Sequence, residues 1–156
     1  MTFPEQSVFL KQEYLPLLRQ LRSDTPAQWG KMDAQQMVEH ILDAFKNASG
    51  KIIIPFIEQD PERLQKMREF ILSDKPFREN TKAPFMPEAP PAHQYNSLKE
   101  AIEHLEPEIQ DFFSFYENNP GAEVLNPVLG ELNVELQMAL LYKHTTHHLR
   151  QFGVVV

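Results

Sequence analysis

The chain of 156 residues contains no cysteine. This absence excludes disulfides, a thiolate nucleophile and every metal site built on sulfur ligands. Any metal ion must therefore be bound by histidine, aspartate or glutamate side chains. Any thiol chemistry would have to use a thiol that a cosubstrate supplies.

Long apolar runs and basic runs are also missing from the sequence. Without 18 consecutive apolar residues no transmembrane helix is predicted, and the N-terminus lacks the basic and apolar regions of a signal peptide. The formal net charge is −7, which argues against a nucleic-acid partner because such partners usually need a basic face. We expect a cytoplasmic protein that binds neither membranes nor nucleic acid.

What the sequence does contain is helical periodicity. Apolar residues make up 42% of the chain and recur at spacings of three and four, as on one face of an α-helix. The pattern predicts long helices over residues 7–22, 34–47, 97–118 and 134–152, and a shorter one over 61–72. We therefore expect one domain spanning residues 1–156, an all-α four-helix bundle with long crossover loops and a short extra helix.

Local residues mark the ends and interruptions of these helices. Asp33, Ser97 and Asn133 are expected as N-caps, the first two in capping boxes completed by Gln36 and Glu100. Proline at position 61 suits the first turn of the short helix. In contrast, prolines 16 and 107 lie inside helical patterns and are expected to kink or split them.

The segments between the helices are irregular, and no convincing strand pair is evident. Residues 51–58 are apolar, but Pro55 argues against a central strand, so an apolar connector is predicted. Residues 73–96 hold five of the thirteen prolines between Pro76 and Pro91. Long loops of this kind are often lids or binding loops, and a surface crossover is an equally good interpretation.

Three of the six histidines lie within five residues of the last predicted helix. His144 and His148 are four apart, so their side chains are neighbours on one helix face. His40 lies at the border between the apolar and polar faces of the second helix, and His148 and His144 lie at and just beyond the edge of the apolar arc on the last one. These three imidazoles can meet in the bundle as metal ligands, as in other helical metal sites.

The other histidines are weaker candidates. His147 is rotated towards the rim, where a surface or supporting role is favoured over ligation, and His93 and His104 are not expected to be ligands. Asp43 and Gln151 are candidate partners for the ligands' second ring nitrogens. A purely structural role for all the histidines remains an alternative at this point.

Two stretches carry a family resemblance. The sequence Trp29–His40 together with Lys143–Gly153 resembles the DinB/YfiT-like superfamily, and more narrowly a bacterial subfamily of unknown function. Residues 71–77 and 81–85 are also similar to that subfamily. The resemblance covers most of residues 28–153.

The resemblance implies a four-helix bundle with a three-histidine metal site, which matches His40, His144 and His148. It also implies zinc, nickel or a similar divalent ion, a homodimer and, in some members, thiol-dependent S-transferase or hydrolase activity. The chain departs from the subfamily at Asn126, where histidine is common, and at Thr146, where aspartate is common. Any role carried over to those two positions is therefore in doubt.

Three hypotheses follow from these observations. The first is a metal-dependent enzyme, a hydrolase or thiol S-transferase acting on a small molecule or a low-molecular-weight thiol, because three histidine ligands leave a coordination position open. Its general base is not identified, and Asp43 and His147 are weak candidates. The second is a non-catalytic dimeric bundle that binds a metal or a small ligand. The third is a helical scaffold whose histidines are structural.

Overall fold

The computed structural model describes residues 1–80 and 89–156, and helices account for most of them. This agrees with the predicted all-α class. None of the helices in the described ranges combines the length and the apolar character that a bilayer crossing requires. The helices are α1 (Phe3–Val8), α2 (Tyr14–Leu18), α3 (Ala34–Ala48), α4 (Pro61–Leu72), α5 (Leu98–Asn118) and α6 (Val134–Gln151).

The predicted N-caps of α3, α5 and α6 are confirmed. The Asp33 carboxylate accepts the Gln36 backbone N–H at 2.7 Å, and the Gln36 side-chain oxygen accepts the Asp33 N–H at 2.9 Å. Ser97 and Asn133 accept the N–H three residues on, at 3.1 and 3.0 Å. These bonds satisfy donors that have no partner within their own helix, so the chain enters each helix at a defined residue. The capping box predicted at Ser97 is not formed, because the Glu100 carboxylate accepts the Asn96 N–H at 3.0 Å instead.

The N-terminal helical segment differs from its predicted bounds of 7–22. Thr2 and Glu5 form a capping box, so the segment begins at α1, and it ends at Leu18. A π-helical turn over Phe9–Glu13 joins α1 to α2. The turn ends three residues before Pro16. Proline lacks an N–H and crowds the carbonyl one turn back, which lies in this turn, so a widened turn relieves the clash.

Pro107 was expected to kink its helix or to split it, and the split does not occur. The proline lies inside α5, which continues from Leu98 to Asn118. The apolar face of α5 packs along α3, and tertiary packing of such a face contributes more to helix stability than one lost hydrogen bond removes.

A small hairpin precedes α6, so the expectation of no strand pair is also wrong. Strand β1 (Val124–Asn126) pairs antiparallel with β2 (Gly130–Leu132). The Asn126 side-chain oxygen accepts the N–H groups of residues 128 and 129, both at 2.9 Å, and Gly130 has a φ of +80°. Strands of three residues are too short to show an alternating pattern. The two bonds to the Asn126 side chain close the turn between the strands, and this accounts for the presence of Asn126 without a role in a functional site.

The irregular connections agree with their predictions where they are described. Residues 51–60 form an apolar connector, tied to the hairpin turn by the Ile57 N–H, which donates to the Pro127 carbonyl at 2.8 Å. Residues 73–80 and 89–96 contain no helix or strand. The middle of the predicted proline-rich loop, residues 81–88, lies outside the described residues, as does the resemblance noted over 81–85.

The hydrophobic core places α3 and α6 side by side. Helix α3 packs most extensively on α5 and also contacts α6 and β1, while α6 contacts α1 and α4. A second, smaller cluster lies between α4, the hairpin and α6. Since α3 and α6 are direct neighbours, polar side chains at the edges of their apolar faces can meet. The fully buried residues of the main core include Tyr14, Met37, Ile41, Phe45, Leu105 and Phe112.

Candidate metal centre

The imidazoles of His40, His144 and His148 converge between α3 and α6. The Nε2 atoms of His40 and His144 lie 2.9 Å apart. One ring nitrogen from each of the three residues lies within 4.8 Å of the others. The ring centroids are 4.8 to 5.1 Å apart. The structure thus brings together the three residues that the sequence singled out.

The spacing of these nitrogens suits a divalent ion. Zinc binds histidine nitrogen at about 2.0–2.1 Å, so two nitrogens on one tetrahedral ion are about 3.3 Å apart. The observed separations, from 2.9 Å up to 4.8 Å, bracket that value. Three imidazole nitrogens form a donor set that fits zinc or nickel.

The surroundings of the three imidazoles lower the pKa of each ring and so favour its neutral form. Burial lowers the pKa of His40 to about 4, with a further contribution from His147. Burial and the neighbouring His40 lower the pKa of His148 to about 3, against the raising effect of Gln151. Burial, and after it the other imidazoles, hold the pKa of His144 well below its usual value. A metal ion binds neutral imidazole, so none of the three rings would have to lose a positive charge before a metal could bind.

The Gln151 side chain supports His148, as the sequence had indicated. Its Oε1 atom lies 2.7 Å from His148 Nδ1, and its Nε2 donates to the Trp29 carbonyl at 2.9 Å. Ligating histidines usually have their second ring nitrogen fixed in this way. The contact leaves Nε2 of His148 as the nitrogen that faces the other two imidazoles.

The acidic residues on α3 do not support His40 in the same way. Asp43 is half-buried, and burial raises the pKa of its carboxyl, but among the described side chains it has no hydrogen bond with His40. Glu39 is buried, and its carboxylate accepts N–H groups from Gln35 and Gln94 at 2.9 and 2.7 Å. Glu39 thus anchors residues 94–95 on α3.

The prediction that His147 lies at the rim is wrong. The side chain is buried, with 7% of the residue exposed. Its ring lies 5.5 Å from that of Trp29 and 5.7 Å from that of Phe77. Two loop segments, which carry Trp29 and Phe77, cover this face of α6. Burial lowers the pKa of His147, and its ring lies 5.1 Å from that of His148.

Trp29 and Phe77 are the neighbours of the site that the sequence patterns did not reveal. Phe77 contacts His144 as well as His147, with 6.4 Å between the Phe77 and His144 centroids. Both aromatic residues lie outside regular secondary structure, where periodicity gives no information about direction. The only indications were the position of Phe77 in the proline-rich loop and the presence of Trp29 in a family motif.

Lys143 holds the first part of that loop beside the site. Its ammonium donates to the Ser73 carbonyl at 3.0 Å and also to the Lys75 carbonyl, and it lies 4.6 Å from the centre of the Phe70 ring. Burial lowers the pKa of Lys143. The two carbonyl contacts fix the backbone just before Phe77, so the Phe77 ring packs against His144.

His93 and His104 are engaged elsewhere. His93 Nε2 lies 2.7 Å from the Asp33 carboxylate at the start of α3. His104 stacks on Tyr95, with ring centroids 4.2 Å apart and planes 14° from parallel. Both contacts help to attach residues 93–95 to the helices, and neither ring belongs to the three-histidine cluster.

Two cavities lie beside other parts of the described chain. One of about 290 Å³ lies between the N-terminal segment and α5, next to Lys11 and Phe113. The other, of about 170 Å³, is lined by residues of α6 that include Lys143 and Thr146. None of the three clustered histidines lines either cavity. Thr146 donates to the Tyr142 carbonyl at 2.9 Å within its own helix.

No protein-family model, curated protein or solved structure matches this chain. The resemblance to the DinB/YfiT-like superfamily therefore stays a prediction.

Proposed function

We propose that the protein is a divalent-metal-dependent enzyme with a four-helix-bundle fold of the DinB/YfiT-like kind. Its ligands are His40, His144 and His148, and its metal is zinc or nickel. The observation that carries the proposal is the convergence of three imidazoles from two helices, with one ring nitrogen of each within 4.8 Å of the others.

The donor set supports catalysis better than a structural site. Structural zinc sites usually have four protein ligands, whereas catalytic sites have three and an open position. Within the described residues only three ligating side chains meet here. When bound, such an ion can lower the pKa of water to about 7 or polarise a carbonyl or thiol of the substrate.

The surrounding residues would orient the ligands and restrict access. Gln151 holds His148 by its Nδ1 atom. Trp29 and Phe77 flank His147 and form an apolar boundary that limits water on that side. This environment suits hydrolysis or thiol-dependent transfer on a small molecule, and without cysteine any thiol would be a low-molecular-weight cosubstrate.

Metal analysis of the purified protein tests this proposal. We expect one zinc or nickel ion per chain in the wild type and loss of the ion in His144→Ala. His104→Ala is the matched control, since it also removes a histidine that contacts an aromatic ring but leaves the ligands unchanged. Metal-free wild-type protein that does not take up zinc or nickel would contradict the proposal.

The second candidate is a non-catalytic metal- or ligand-binding bundle. It is favoured by one observation, that neither cavity described above is lined by a ligand histidine. The cobalt-substituted protein separates the two candidates. If added imidazole or a small thiol changes the visible spectrum, the ion has an open position, as the enzyme requires. An unchanged spectrum favours the non-catalytic bundle.

The remaining expectations stay predictions. A homodimer is expected from the family resemblance, and sedimentation velocity of the purified chain would test it. The cytoplasmic location was expected from composition alone, and fractionation of cells that express the protein would test it.

A further inference from the structure

The Gln151 side chain bridges a backbone carbonyl and a metal-ligand candidate. Its Nε2 atom is 2.9 Å from the carbonyl oxygen of Trp29, and its Oε1 atom is 2.7 Å from Nδ1 of His148. The glutamine is buried, with 3% of the residue exposed. Both ends of one amide are therefore used in a place with little access to water.

The chemistry of these groups determines which atoms carry protons. A backbone carbonyl only accepts hydrogen bonds, so the NH₂ end of the amide must face Trp29. The oxygen end must then face His148, and because this oxygen only accepts, Nδ1 of His148 must carry the proton. In a neutral imidazole the other nitrogen, Nε2, then has a free lone pair. The proton position on His148 thus follows from a carbonyl 119 residues away in sequence, since Trp29 and Gln151 are 122 residues apart and Gln151 follows His148 by three.

The fit between the loop and the end of α6 is close. Gly30 has a φ of +81°, and a Cβ atom there would lie 2.7 Å from Gln151 Nε2. The backbone N–H of Gln28 donates to the Gln151 carbonyl at 2.8 Å. Gly153 also has a positive φ, and a Cβ there would lie 3.1 Å from Gln28 Nε2. Segment 28–30 is therefore held against both the side chain and the backbone of Gln151.

We propose that Gln151 is a positioning residue, which transmits the orientation of the Trp29 carbonyl to His148 and keeps its Nε2 lone pair directed at the other two imidazoles. The importance of this for metal affinity rests on the proposed function. The assignment of the His148 tautomer does not, because it follows from the hydrogen bonds alone.

The tautomer is measured in metal-free protein by long-range ¹H–¹⁵N correlation spectra of the histidine rings. We expect His148 to carry its proton on Nδ1 in the wild type. The same tautomer is expected in Gln151→Glu, which keeps an acceptor for Nδ1. In Gln151→Met, which keeps the length but not the polar atoms, we expect a mixture of tautomers.

Zinc affinity is then measured by competition with a chromophoric chelator. Loss of a group that supports a metal ligand typically weakens binding about 10–100-fold, and this is the expected effect of Gln151→Met, with Gln151→Glu binding more tightly than Gln151→Met. Gln137→Met is the matched control. Gln137 is also a buried glutamine of α6, bound to the Val124 carbonyl at 3.2 Å, and its loss should leave zinc affinity within about twofold of the wild type, well short of the effect on supporting groups.

The outcomes separate the two proposals. A wild-type His148 protonated on Nε2, or a tautomer unchanged in folded Gln151→Met, would overturn the positioning role whatever the protein binds. Equal zinc affinity in Gln151→Met and Gln137→Met would also overturn it. Wild-type protein that does not bind zinc, but shows the expected tautomers, would overturn the proposed metal function and leave the positioning of His148 by Gln151 intact.

Discussion

The Nε2 atoms of His40 and His144 face each other at 2.9 Å although the two residues are 104 positions apart in sequence. At this distance two neutral imidazoles need one N–H and one lone pair between them. A divalent ion bound by both Nε2 atoms, together with that of His148, would require the proton between them to move to Nδ1 of its own ring, so that both Nε2 lone pairs are free. The proposed metal site gives a first prediction.

Zinc should stabilise the wild-type protein and fail to stabilise His40→Ala. Zinc at a free concentration of about 100 times its dissociation constant would add about 2.7 kcal/mol to the free energy of unfolding. Thermal melts with zinc and with chelator would measure the effect. His93→Ala is the control, because the His93 ring contacts the Asp33 carboxylate at the start of the same helix. Its substitution should leave the response to zinc intact. An equal zinc response in His40→Ala would contradict the prediction.

The free energy of unfolding of the metal-free protein should fall as the pH is lowered from about 6.5 towards 4. In that window the unfolded chain binds protons at imidazoles whose pKa in the folded protein is about 4 for His40 and about 3 for His148. Each such proton lowers stability by about 1.4 kcal/mol per pH unit. Above pH 6.5 the contribution is complete and constant.

Urea unfolding at pH 7.0, 6.0 and 5.5 would measure this slope before most carboxylates titrate. The variant His148→Gln removes one imidazole whose pKa is lowered in the folded protein. The free energy of unfolding of this variant should therefore depend less on pH than that of the wild type. Stability that is unchanged, or that rises, between pH 6.5 and 5.5 would contradict the assignment of buried neutral histidines.

Gly30→Ala should destabilise the protein by about 1–3 kcal/mol, the usual effect of a non-glycine residue in a strained backbone conformation. The φ of Gly30 is +81°, and the added methyl group would meet Gln151 Nε2 at 2.7 Å. Gly121→Ala is the control, because no heavy atom lies within 4 Å of its added methyl group. We expect a change of within about 0.5 kcal/mol there. Chemical denaturation of both variants is the measurement, and equal stabilities would refute the close fit at Gly30.

Lys143→Met should destabilise the protein by about 1.5–3 kcal/mol, the range for hydrogen bonds that involve a charged group. The methionine keeps the apolar stem but leaves the Ser73 and Lys75 carbonyls without their shared donor. Lys99→Met, at an exposed position of α5, is the control. If both variants unfold at the same urea concentration, Lys143 does not anchor the segment that carries Phe77.

Features that depend on neighbours in sequence were predictable. The caps at Asp33, Ser97 and Asn133 each join a side chain to an N–H three residues on, so a local pattern is sufficient evidence for them. The start of α4 at Pro61 was predictable for another local reason, because the first helical N–H has no partner within the helix and proline lacks it. The mutual approach of His40, His144 and His148 was also predicted, because each lies near an edge of an apolar helix face.

Features that depend on loops were not predictable. The hairpin strands are three residues long, and the burial of His147 results from contacts with Trp29 and Phe77 in two loop segments. In each case the deciding contact joins residues without a periodic relationship. Helical phase alone placed His147 towards solvent, since it takes no account of what covers a helix between its neighbours.

The sequence by itself determined where α3, α4, α5 and α6 begin, which helix faces are apolar and which three histidines can come together, since these depend on residues at the helix starts and on a fixed rotation per residue. Tertiary structure alone decided the surroundings of that point. The Trp29 carbonyl reaches Gln151 and the Phe77 ring reaches His144 only because the folded helices bring distant loops together. The proposed position of the proton on His148 therefore depends on tertiary contacts. The placement of His148 beside His144 on one helix face depends only on their spacing in α6.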